Sequence, residues 1–390
     1  MDIYEPAEDS HLLEKFVRKE AFGRVLDMGT GSGIQAEAAA SSSRVREVVA
    51  VDINHNAVKN IKQNTKLKSI QSDLFTNVTG KFNTIIFNAP YLPQDKGIED
   101  SALYGGKHGW EISERFFSEA SNHLIGDGIM LFLFSTLTNK EKIEEIIHHN
   151  LLEFEEIDSL KIAFETLYVY KIQKSELLRE LEGKSLENIS YFTHGKRGTI
   201  YTATLDKSTQ IKTHFATKKI QKIAIKVAID YPEKIEREFN TLKTLNKEHI
   251  GPKILFSGSG YFTYHFIEGD FILGWIQKHT KQEIILILHD ILHQCRILDK
   301  IGVTKEEMHH PFKHILIDKN NQAHFIDFER CSRTDKPKNV TQCIEFFCRI
   351  KEELESKNIK INVDSLRELA SGYKEDYSQS FFVQILKLLH

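Results

Sequence analysis

The chain has 390 residues, a length that favours two or three domains over one hydrophobic core. Apolar residues make up 41% and charged residues 27% of it, proportions that are typical of folded globular proteins and exclude a disordered chain. The formal net charge of -3 gives no overall attraction to nucleic acid or membranes, although a local basic patch could still bind nucleic acid.

The cysteines and the N-terminus indicate the cellular compartment. All four cysteines lie in the last hundred residues without a Cys-x-x-Cys pair, which favours free thiols in a reducing compartment over disulfides or a zinc site. The first residues are polar and acidic, unlike a signal peptide, and the apolar stretches are too short to span a bilayer. We therefore expect a soluble cytoplasmic protein that does not bind membranes.

The first 172 residues alternate short apolar runs with helical patterns, as the sequences of parallel α/β proteins do. The run at 84–87 is fully apolar, which is typical of a central strand. Right-handed crossovers between such strands produce one doubly wound, Rossmann-like sheet. The apolar runs predict six strands, at 24–27, 47–52, 70–73, 84–87, 128–134 and 166–172.

Acidic residues end the first three predicted strands. Asp52 stands where a carboxylate can accept both ribose hydroxyls, and Asp73 where a side chain can reach an adenine amino group. Each acid taken singly could equally be a helix N-cap, but three at successive strand ends favour a nucleoside-binding site. The first acid, Asp27, leads into a turn whose glycines let the main chain approach such a ligand closely: Gly29, Gly31 and Gly33.

The segment Asn88-Ala89-Pro90-Tyr91 directly follows the apolar strand at 84–87. The Asn88 side-chain oxygen and the Ala89 carbonyl can each accept one N–H of a substrate NH2 group, which aims a planar nitrogen at a sulfonium methyl group. Tyr91 can stack on the planar group. An Asn-x-Pro turn also occurs in ordinary loops, but the acids upstream favour a methyl-transfer site.

These motifs, together with Tyr4–Ser10 and Gly105–Glu111, resemble HemK-type methyltransferases of archaea and eukaryotes, over residues 1–172. That subfamily methylates the glutamine of the Gly-Gly-Gln motif in class I translation termination factors, and Asn-Ala-Pro-Tyr is a variant of its Asn-Pro-Pro-Tyr motif. The resemblance implies a class I methyltransferase domain at 1–172, S-adenosylmethionine as the cofactor and a termination factor as the protein substrate.

The resemblance also assigns further residues and a partner. Asp9, Ser10 and Leu74 would help to hold the cofactor, and the Gly105–Glu111 loop would border the substrate channel. Ala89 replaces the usual proline, a change that keeps the carbonyl acceptor but removes some rigidity. Some relatives need a small zinc-binding activator subunit, and whether this chain needs one stays open. An exocyclic amine of adenine in DNA or RNA, or a protein lysine, is the alternative acceptor, because both also present N–H donors.

After a charged connector at 174–188 the pattern changes to a meander of strands followed by helices, which is the order of an α+β domain. We expect this second domain at 173–390. Lys226, in a predicted strand, can neutralise nucleotide phosphates, and a helical glutamate, either Glu236 or Glu238, can hold it in position. Asp327, after the run at 324–326, is a candidate Mg²⁺ ligand.

In this order and spacing, these residues resemble compact RIO-like and KEOPS-complex-like small kinases, over residues 174–350. The resemblance implies a two-lobed protein-kinase-like fold that binds ATP and Mg²⁺. Of the two candidate glutamates, it favours Glu238, which follows an arginine as in the family pattern. Glu268 would lie in the hinge, Glu307 would replace the catalytic aspartate and His314 the metal-binding asparagine. The remaining ATP-binding positions implied are the glycines of the turn before the second strand, Gly195 and Gly198.

Two features leave the activity of this domain open. Imidazole is a poor Mg²⁺ ligand, and His-Arg-Asp is absent from the sequence, so phosphoryl transfer, ATP hydrolysis and a non-catalytic ATP-sensing scaffold stay alternatives.

The second domain also contains a basic stretch between two predicted strands, formed by Lys212, Lys218, Lys219 and Lys222. Such a stretch is usually a solvated hairpin and less often an RNA contact.

Overall fold

The computed structural model describes residues 3–94, 103–195, 198–206 and 220–389. The chain forms two compact units, Met1–Tyr191 and Phe192–His390, whereas the sequence placed the boundary near residue 173. The connector groups with the first unit because Lys174, a fully buried residue at the end of a strand, forms an ion pair at 2.5 Å with Glu182 of the connector helix.

The first unit is built from strands and helices that largely alternate. Its strands are β1 Gly23–Met28, β2 Val45–Asp52, β3 Lys68–Gln71, β4 Phe82–Asn88, β5 Leu92–Pro93, β6 Tyr104–Gly106, β7 Leu124–Ser135, β8 Leu152–Ile162 and β9 Glu165–Lys174. Its helices are α1 Glu8–Glu20, α2 Ile34–Ala40, α3 His55–Asn64, α4 Glu111–His123, α5 Lys140–His149 and α6 Glu176–Gly183.

Seven of these strands form one sheet in the order β3-β2-β1-β4-β7-β9-β8. The first five run parallel, and β9 lies antiparallel between β7 and β8. The central strands β4 and β7 are mostly buried and carry continuous apolar runs, as is typical of strands covered on both faces. The expected doubly wound, Rossmann-like sheet is confirmed. Its strand order reverses between β1 and β4, where such sheets place their ligands.

The second unit begins with antiparallel strands and ends with helices. Its strands are β10 Leu186–His194, which starts before the boundary, β11 Gly198–Asp206, β12 Ile220–Ala228, β13 Ile254–Gly258, β14 Tyr261–His265, β15 Gly269–Phe271, β16 Val303–Lys305, β17 Ile315–Asp318, β18 Ala323–Phe325 and β19 Cys331–Arg333. Its helices are α7 Pro232–Leu245, α8 Ile272–Lys278, α9 Lys281–Lys300, α10 Asn339–Arg349, α11 Lys351–Ser356, α12 Val363–Asp376 and α13 Gln379–Lys387.

A five-stranded sheet in the order β10-β11-β12-β14-β13 opens this unit, and α7 packs against β12 and β14. The strands-then-helices order is the α+β order that the sequence predicts. The helical pattern at 276–298 divides into α8 and α9, because Thr280 and Glu283 form a capping box that starts a new helix. No helix within the described ranges combines the length and apolarity that a membrane-crossing segment needs.

Candidate active site

A cavity of about 230 Å³ opens at the carboxyl ends of the central strands of the first unit. It lies where the strand order reverses, between β1 and β4. Asp27 and Gly33 lie behind the residues that line it. The predicted site residues on its lining are Asp9, Ser10, Gly29, Gly31, Asp52, Asp73, Leu74, Asn88, Ala89, Pro90 and Tyr91.

The glycine turn after β1 forms one wall of the cavity. Gly29, Gly31 and Gly33 have φ angles of 65°, 51° and 95°, in the left-handed region that favours glycine. Asp52 fastens the turn, since its Oδ2 accepts the Gly31 N–H at 2.8 Å and its Oδ1 accepts the Asn54 N–H at 2.8 Å. Each carboxylate oxygen has a second lone pair, so Asp52 can still accept ribose hydroxyls. This wall therefore offers a close main-chain approach and carboxylate acceptors, the groups that a nucleoside with free ribose hydroxyls needs.

Asp27 supports the same turn from beneath. Only 1% of its surface is exposed, and its Oδ2 accepts a hydrogen bond from the Thr30 hydroxyl at 2.7 Å. Burial raises the pKa of Asp27 to about 7, and the negative charge of Asp52 adds to this effect. In the structure, Asp27 therefore shapes the turn from a layer behind the cavity lining.

The raised pKa of Asp27 predicts that the first unit loses stability as pH rises through 7. Because the folded-state pKa is about 7 and the ordinary value is 3.8, the folded chain binds more protons than the unfolded chain between these pH values. The stabilisation is complete below pH 4 and, at about 1.4 kcal/mol per pKa unit, its loss amounts to a few kcal/mol by about pH 8.

Urea unfolding between pH 5 and 8 measures this loss. The parent should show a falling free energy of unfolding, whereas Asp27→Asn, which keeps an oxygen for the Thr30 hydroxyl, should show a much flatter profile. Parallel profiles for the two proteins would contradict the assignment.

Asp73 and Leu74 form the rim of the cavity after β3. The Asp73 carboxylate is exposed and accepts a hydrogen bond from Arg115 of α4 at 2.8 Å. Leu74 has a φ of 45°, and its carbonyl accepts a hydrogen bond from the Ser72 hydroxyl at 2.8 Å. Arg115 also lines the cavity, yet the sequence analysis missed it because no motif marks a surface arginine on a helix.

The turn Asn88-Ala89-Pro90-Tyr91 forms the opposite wall, and two bonds fix its main chain. The Ala89 N–H donates to the Leu133 carbonyl of β7 at 3.4 Å, a bond that proline in this place would lack. The Thr138 hydroxyl donates to the Tyr91 carbonyl at 3.1 Å. The replacement of proline by alanine is thus partly offset by a new main-chain contact.

Of the two polar atoms of the Asn88 side-chain amide, the nitrogen is hydrogen-bonded and the oxygen has no donor among the described residues. Its Nδ2 donates to Asp9 Oδ2 at 2.8 Å. Its Oδ1 is buried and accepts no hydrogen bond from any residue that the structure describes. A buried acceptor without a donor costs about 1–3 kcal/mol, so a ligand N–H that reaches this oxygen would remove the penalty.

Two tyrosines lie beside this amide. The Tyr4 hydroxyl is 3.1 Å from each carboxylate oxygen of Asp9, and Tyr91 lines the cavity. Burial, and then the nearby charge of Asp9, raise the pKa of both Tyr4 and Tyr91 well above the ordinary value. Both phenols therefore stay neutral at physiological pH, which suits packing against a planar group rather than proton abstraction.

Strand β6 and the loop that follows it pack directly on the turn. A Cβ added to Gly105 would lie 2.4 Å from the Pro90 carbonyl oxygen and 2.1 Å from the Gly109 carbonyl oxygen. A Cβ added to Gly109, whose φ is 91°, would lie 2.6 Å from the Tyr91 carbonyl oxygen. The glycines of the Gly105–Glu111 loop thus allow a backbone-to-backbone approach that no other residue permits.

In the second unit, Lys226 of β12 and Glu238 of α7 form a buried ion pair at 2.7 Å. Lys226 Nζ is also 2.8 Å from Glu329 Oε1 and 3.9 Å from Asp327 Oδ1. Burial alone would lower the pKa of Lys226, but the three carboxylates outweigh it and raise that pKa. The sequence anticipated the pairing with Glu238 but missed Glu329.

The structure brings some of the other predicted residues of this unit close to one another. His314 Nε2 lies 4.0 Å from Glu307 Oε2 and 3.9 Å from Asp327 Oδ2, and Arg330 forms an ion pair with Glu307. The buried Lys305, which the sequence analysis missed, donates to the Asp327 carbonyl. Over the described ranges, no group of three or more His, Cys, Asp or Glu residues could hold a metal ion.

The remaining predicted residues lie at the edge of this unit. The Gly195 N–H donates to the Gly198 carbonyl at 2.9 Å. Glu268 is exposed and forms an ion pair with Lys222 at 3.3 Å. The other lysines of the predicted basic stretch lie outside the described residues: Lys212, Lys218 and Lys219.

Known proteins resemble the first unit. Residues 7–161 match the family described as Methyltransferase small domain. A putative protein N5-glutamine methyltransferase of Methanocaldococcus jannaschii is 40% identical over 178 residues, which are 43% of this chain and 90% of that protein. A release factor glutamine methyltransferase of Deinococcus radiodurans is 31% identical over 135 residues, which are 31% of this chain and 49% of that protein. The chain thus spans about half the length of the Deinococcus protein.

A solved structure also matches. It is the E. cuniculi Mtq2–Trm112 complex, which is described as responsible for methylation of the eRF1 translation termination factor. The match is 26% identical with a TM-score of 0.39, and it covers 45% of this chain and 100% of that chain.

Proposed function

We propose that this chain, which belongs through its first unit to the HemK-type protein N5-glutamine methyltransferase family, methylates glutamine in the Gly-Gly-Gln motif of a class I translation termination factor. Membership of the family makes the chain an S-adenosylmethionine-dependent methyltransferase. The protein substrate is the proposed step, and the name of the Deinococcus relative, a release factor glutamine methyltransferase, supports it.

The main observation behind the proposal is that the buried Asn88 Oδ1, beside the cavity, has no hydrogen-bond donor among the described residues. A glutamine amide has two N–H donors in one plane, and Asn88 Oδ1 and the Ala89 carbonyl are two acceptors from neighbouring residues. Such a pair orients the nitrogen and stabilises the positive charge that develops on it during methylation. The site therefore needs two aligned oxygen acceptors rather than a strong base.

The cofactor supplies a methyl group already activated by a sulfonium charge. The residues that would hold its nucleoside part are the glycine turn, Asp52 and the rim formed by Asp73 and Leu74. Asn88 and Tyr91 would hold the acceptor at the other wall of the same cavity. This division would bring the methyl donor and the acceptor nitrogen together in one cavity.

A comparison of acceptors tests the proposed substrate. The purified chain and labelled S-adenosylmethionine are incubated with a class I termination factor, with its Gly-Gly-Gln→Gly-Gly-Glu variant, with adenine-containing DNA and RNA, and with lysine-rich protein. We expect label only in the parent termination factor, mapped by mass spectrometry to the glutamine. Label in nucleic acid or lysine instead would overturn the proposal. Each reaction is run with and without a small zinc-binding activator subunit, because some relatives need one.

Gly105→Ala should damage the acceptor site without touching the cofactor site. The new Cβ would overlap the carbonyl oxygens of Pro90 and Gly109, so the turn must move. A shift of about 1 Å in a reacting group lowers turnover roughly 100-fold, and we expect a loss in kcat of that order. Gly126→Ala is the matched control, because a Cβ there meets nothing within 4 Å. Equal kcat values for the two variants would contradict the packing argument.

For the second unit we propose ATP binding as a second function. The buried Lys226–Glu238 pair supports it, because a lysine held by a helical glutamate beside Asp327 is the arrangement that positions nucleotide phosphates in kinases. Lys226 would contact phosphates, and Asp327 would take Mg²⁺ through its oxygens, whereas His314 suits that ion poorly.

Calorimetry with Mg²⁺-ATP tests this second function. We expect Asp327→Asn to weaken binding clearly, and unchanged affinity would remove the metal assignment. Labelled ATP then separates phosphoryl transfer, hydrolysis and simple binding.

A further inference from the structure

The Asp9 carboxylate accepts several hydrogen bonds beside the turn Asn88-Ala89-Pro90-Tyr91. It is 5% exposed and accepts from the Tyr4 hydroxyl, from Asn88 Nδ2 at 2.8 Å and from the Ser10 N–H at 2.6 Å. The Ser10 hydroxyl adds a fourth donor at 3.2 Å. The Ser10 carbonyl in turn accepts from the buried Gln35 amide at 2.8 Å, which holds the start of α1 in place.

The orientation of the Asn88 amide decides whether the site can accept an N–H. An asparagine side chain presents an oxygen on one side and an NH2 group on the other. If the Asn88 amide were rotated by half a turn, its NH2 group would meet the NH2 group of the substrate and repel it. The main chain at Asn88 permits either orientation, so a neighbouring group must choose between them.

Asp9 determines the orientation of the Asn88 amide. An ionised carboxylate has no N–H or O–H to donate, so only the Asn88 NH2 group can face it. The amide oxygen is then left for a ligand, and Oδ1 is the atom without a partner within the described part of the chain. The negative charge behind the amide also polarises it, which strengthens Oδ1 as an acceptor.

We propose that Asp9 is a positioning residue that fixes the Asn88 amide with its oxygen toward the acceptor nitrogen. The inference rests on the proposed methylation of an amide and assigns to Asp9 a role at the acceptor rather than in cofactor binding alone. Asp9 touches neither reacting atom; it acts through Asn88.

Asp9→Asn tests the role, because an asparagine at this position can face Asn88 with either its oxygen or its NH2 group. We expect kcat to fall about 10- to 100-fold, the range for a misplaced catalytic group, while the Kd for S-adenosylmethionine changes less than about threefold. Asp9→Glu keeps an acceptor-only carboxylate and should retain at least roughly tenfold more turnover than Asp9→Asn. Glu8→Gln, an exposed neighbour of equal charge, is the control and should stay within about twofold of the parent.

A double-variant cycle shows whether Asp9 acts through Asn88. The readout is the Kd of a Gly-Gly-Gln peptide for the chain loaded with S-adenosylhomocysteine, which is measurable when turnover is lost. Asp9→Asn should weaken peptide binding in the parent but not in the Asn88→Ala background. Equal losses in both backgrounds, parent-like kcat in Asp9→Asn, or a loss confined to cofactor affinity would each overturn the inference. A parent chain that neither binds nor methylates the peptide would instead refute the proposed function.

Discussion

Asn88→Ala is expected to lower kcat for methyl transfer by about 100- to 1,000-fold, the effect of removing one preorganised hydrogen-bonding group from a transition state. The variant loses the oxygen that would receive the acceptor N–H, while the glycine turn and Asp52 on the opposite wall stay intact. The affinity for S-adenosylmethionine should therefore change by less than about threefold.

Single-turnover kinetics and cofactor titration measure the two quantities separately. Asn64→Ala, an exposed position at the end of α3, is the matched control and should leave both unchanged. Near-parent turnover in Asn88→Ala, or a loss explained by cofactor affinity, would remove the acceptor role from Asn88.

Lys226→Met is expected to lower the free energy of unfolding of the second unit by about 3–5 kcal/mol. The substitution leaves the carboxylate of Glu238, which is 3% exposed, without its cation. Glu238 Oε1 also accepts the Phe328 N–H at 3.1 Å, so this carboxylate cannot simply turn to solvent. Calorimetric unfolding of the full chain, with the two transitions resolved, measures the loss.

Two further variants give this prediction its control. Lys222→Met breaks the exposed pair with Glu268 and should lower stability by no more than about 1 kcal/mol. Lys226→Met/Glu238→Gln removes both charges of the buried pair and keeps an oxygen for the Phe328 N–H, so part of the loss should be recovered. The remainder is the loss of the Lys226 charge beside Glu329. A similar loss for Lys222→Met and Lys226→Met would contradict the burial argument.

The fold of the first unit could be predicted because its central strands are apolar runs that end in marked turns. Strand β8 was missed, since its sequence LEFEEIDSLKI is rich in charges and lies at the sheet edge, where most of its side chains are partly or fully exposed. A strand with little burial carries little hydrophobic periodicity. The sequence placed the boundary between the units too early for a related reason. The connector helix that holds Glu182, the partner of the buried Lys174, has the charged composition of a solvated connector.

The candidate site was predictable where one short motif supplies it and unpredictable where distant segments meet. Asn88 and Ala89 adjoin in sequence, so their pair of acceptors could be read directly from the chain. Asp9 and Asn88 are 79 residues apart, and nothing in the spacing of the motifs reveals their hydrogen bond. Lys305 was likewise missed, because a buried lysine has no sequence signature until its partner, the Asp327 carbonyl, is seen.

The most direct test of the central claim is a structure of the chain bound to S-adenosylhomocysteine and a Gly-Gly-Gln peptide. We predict that the glutamine amide nitrogen lies within about 3 Å of both Asn88 Oδ1 and the Ala89 carbonyl oxygen, inside the cavity lined by the glycine turn. A peptide amide bound outside this cavity, or one that meets the Asn88 NH2 group instead of its oxygen, would contradict the account.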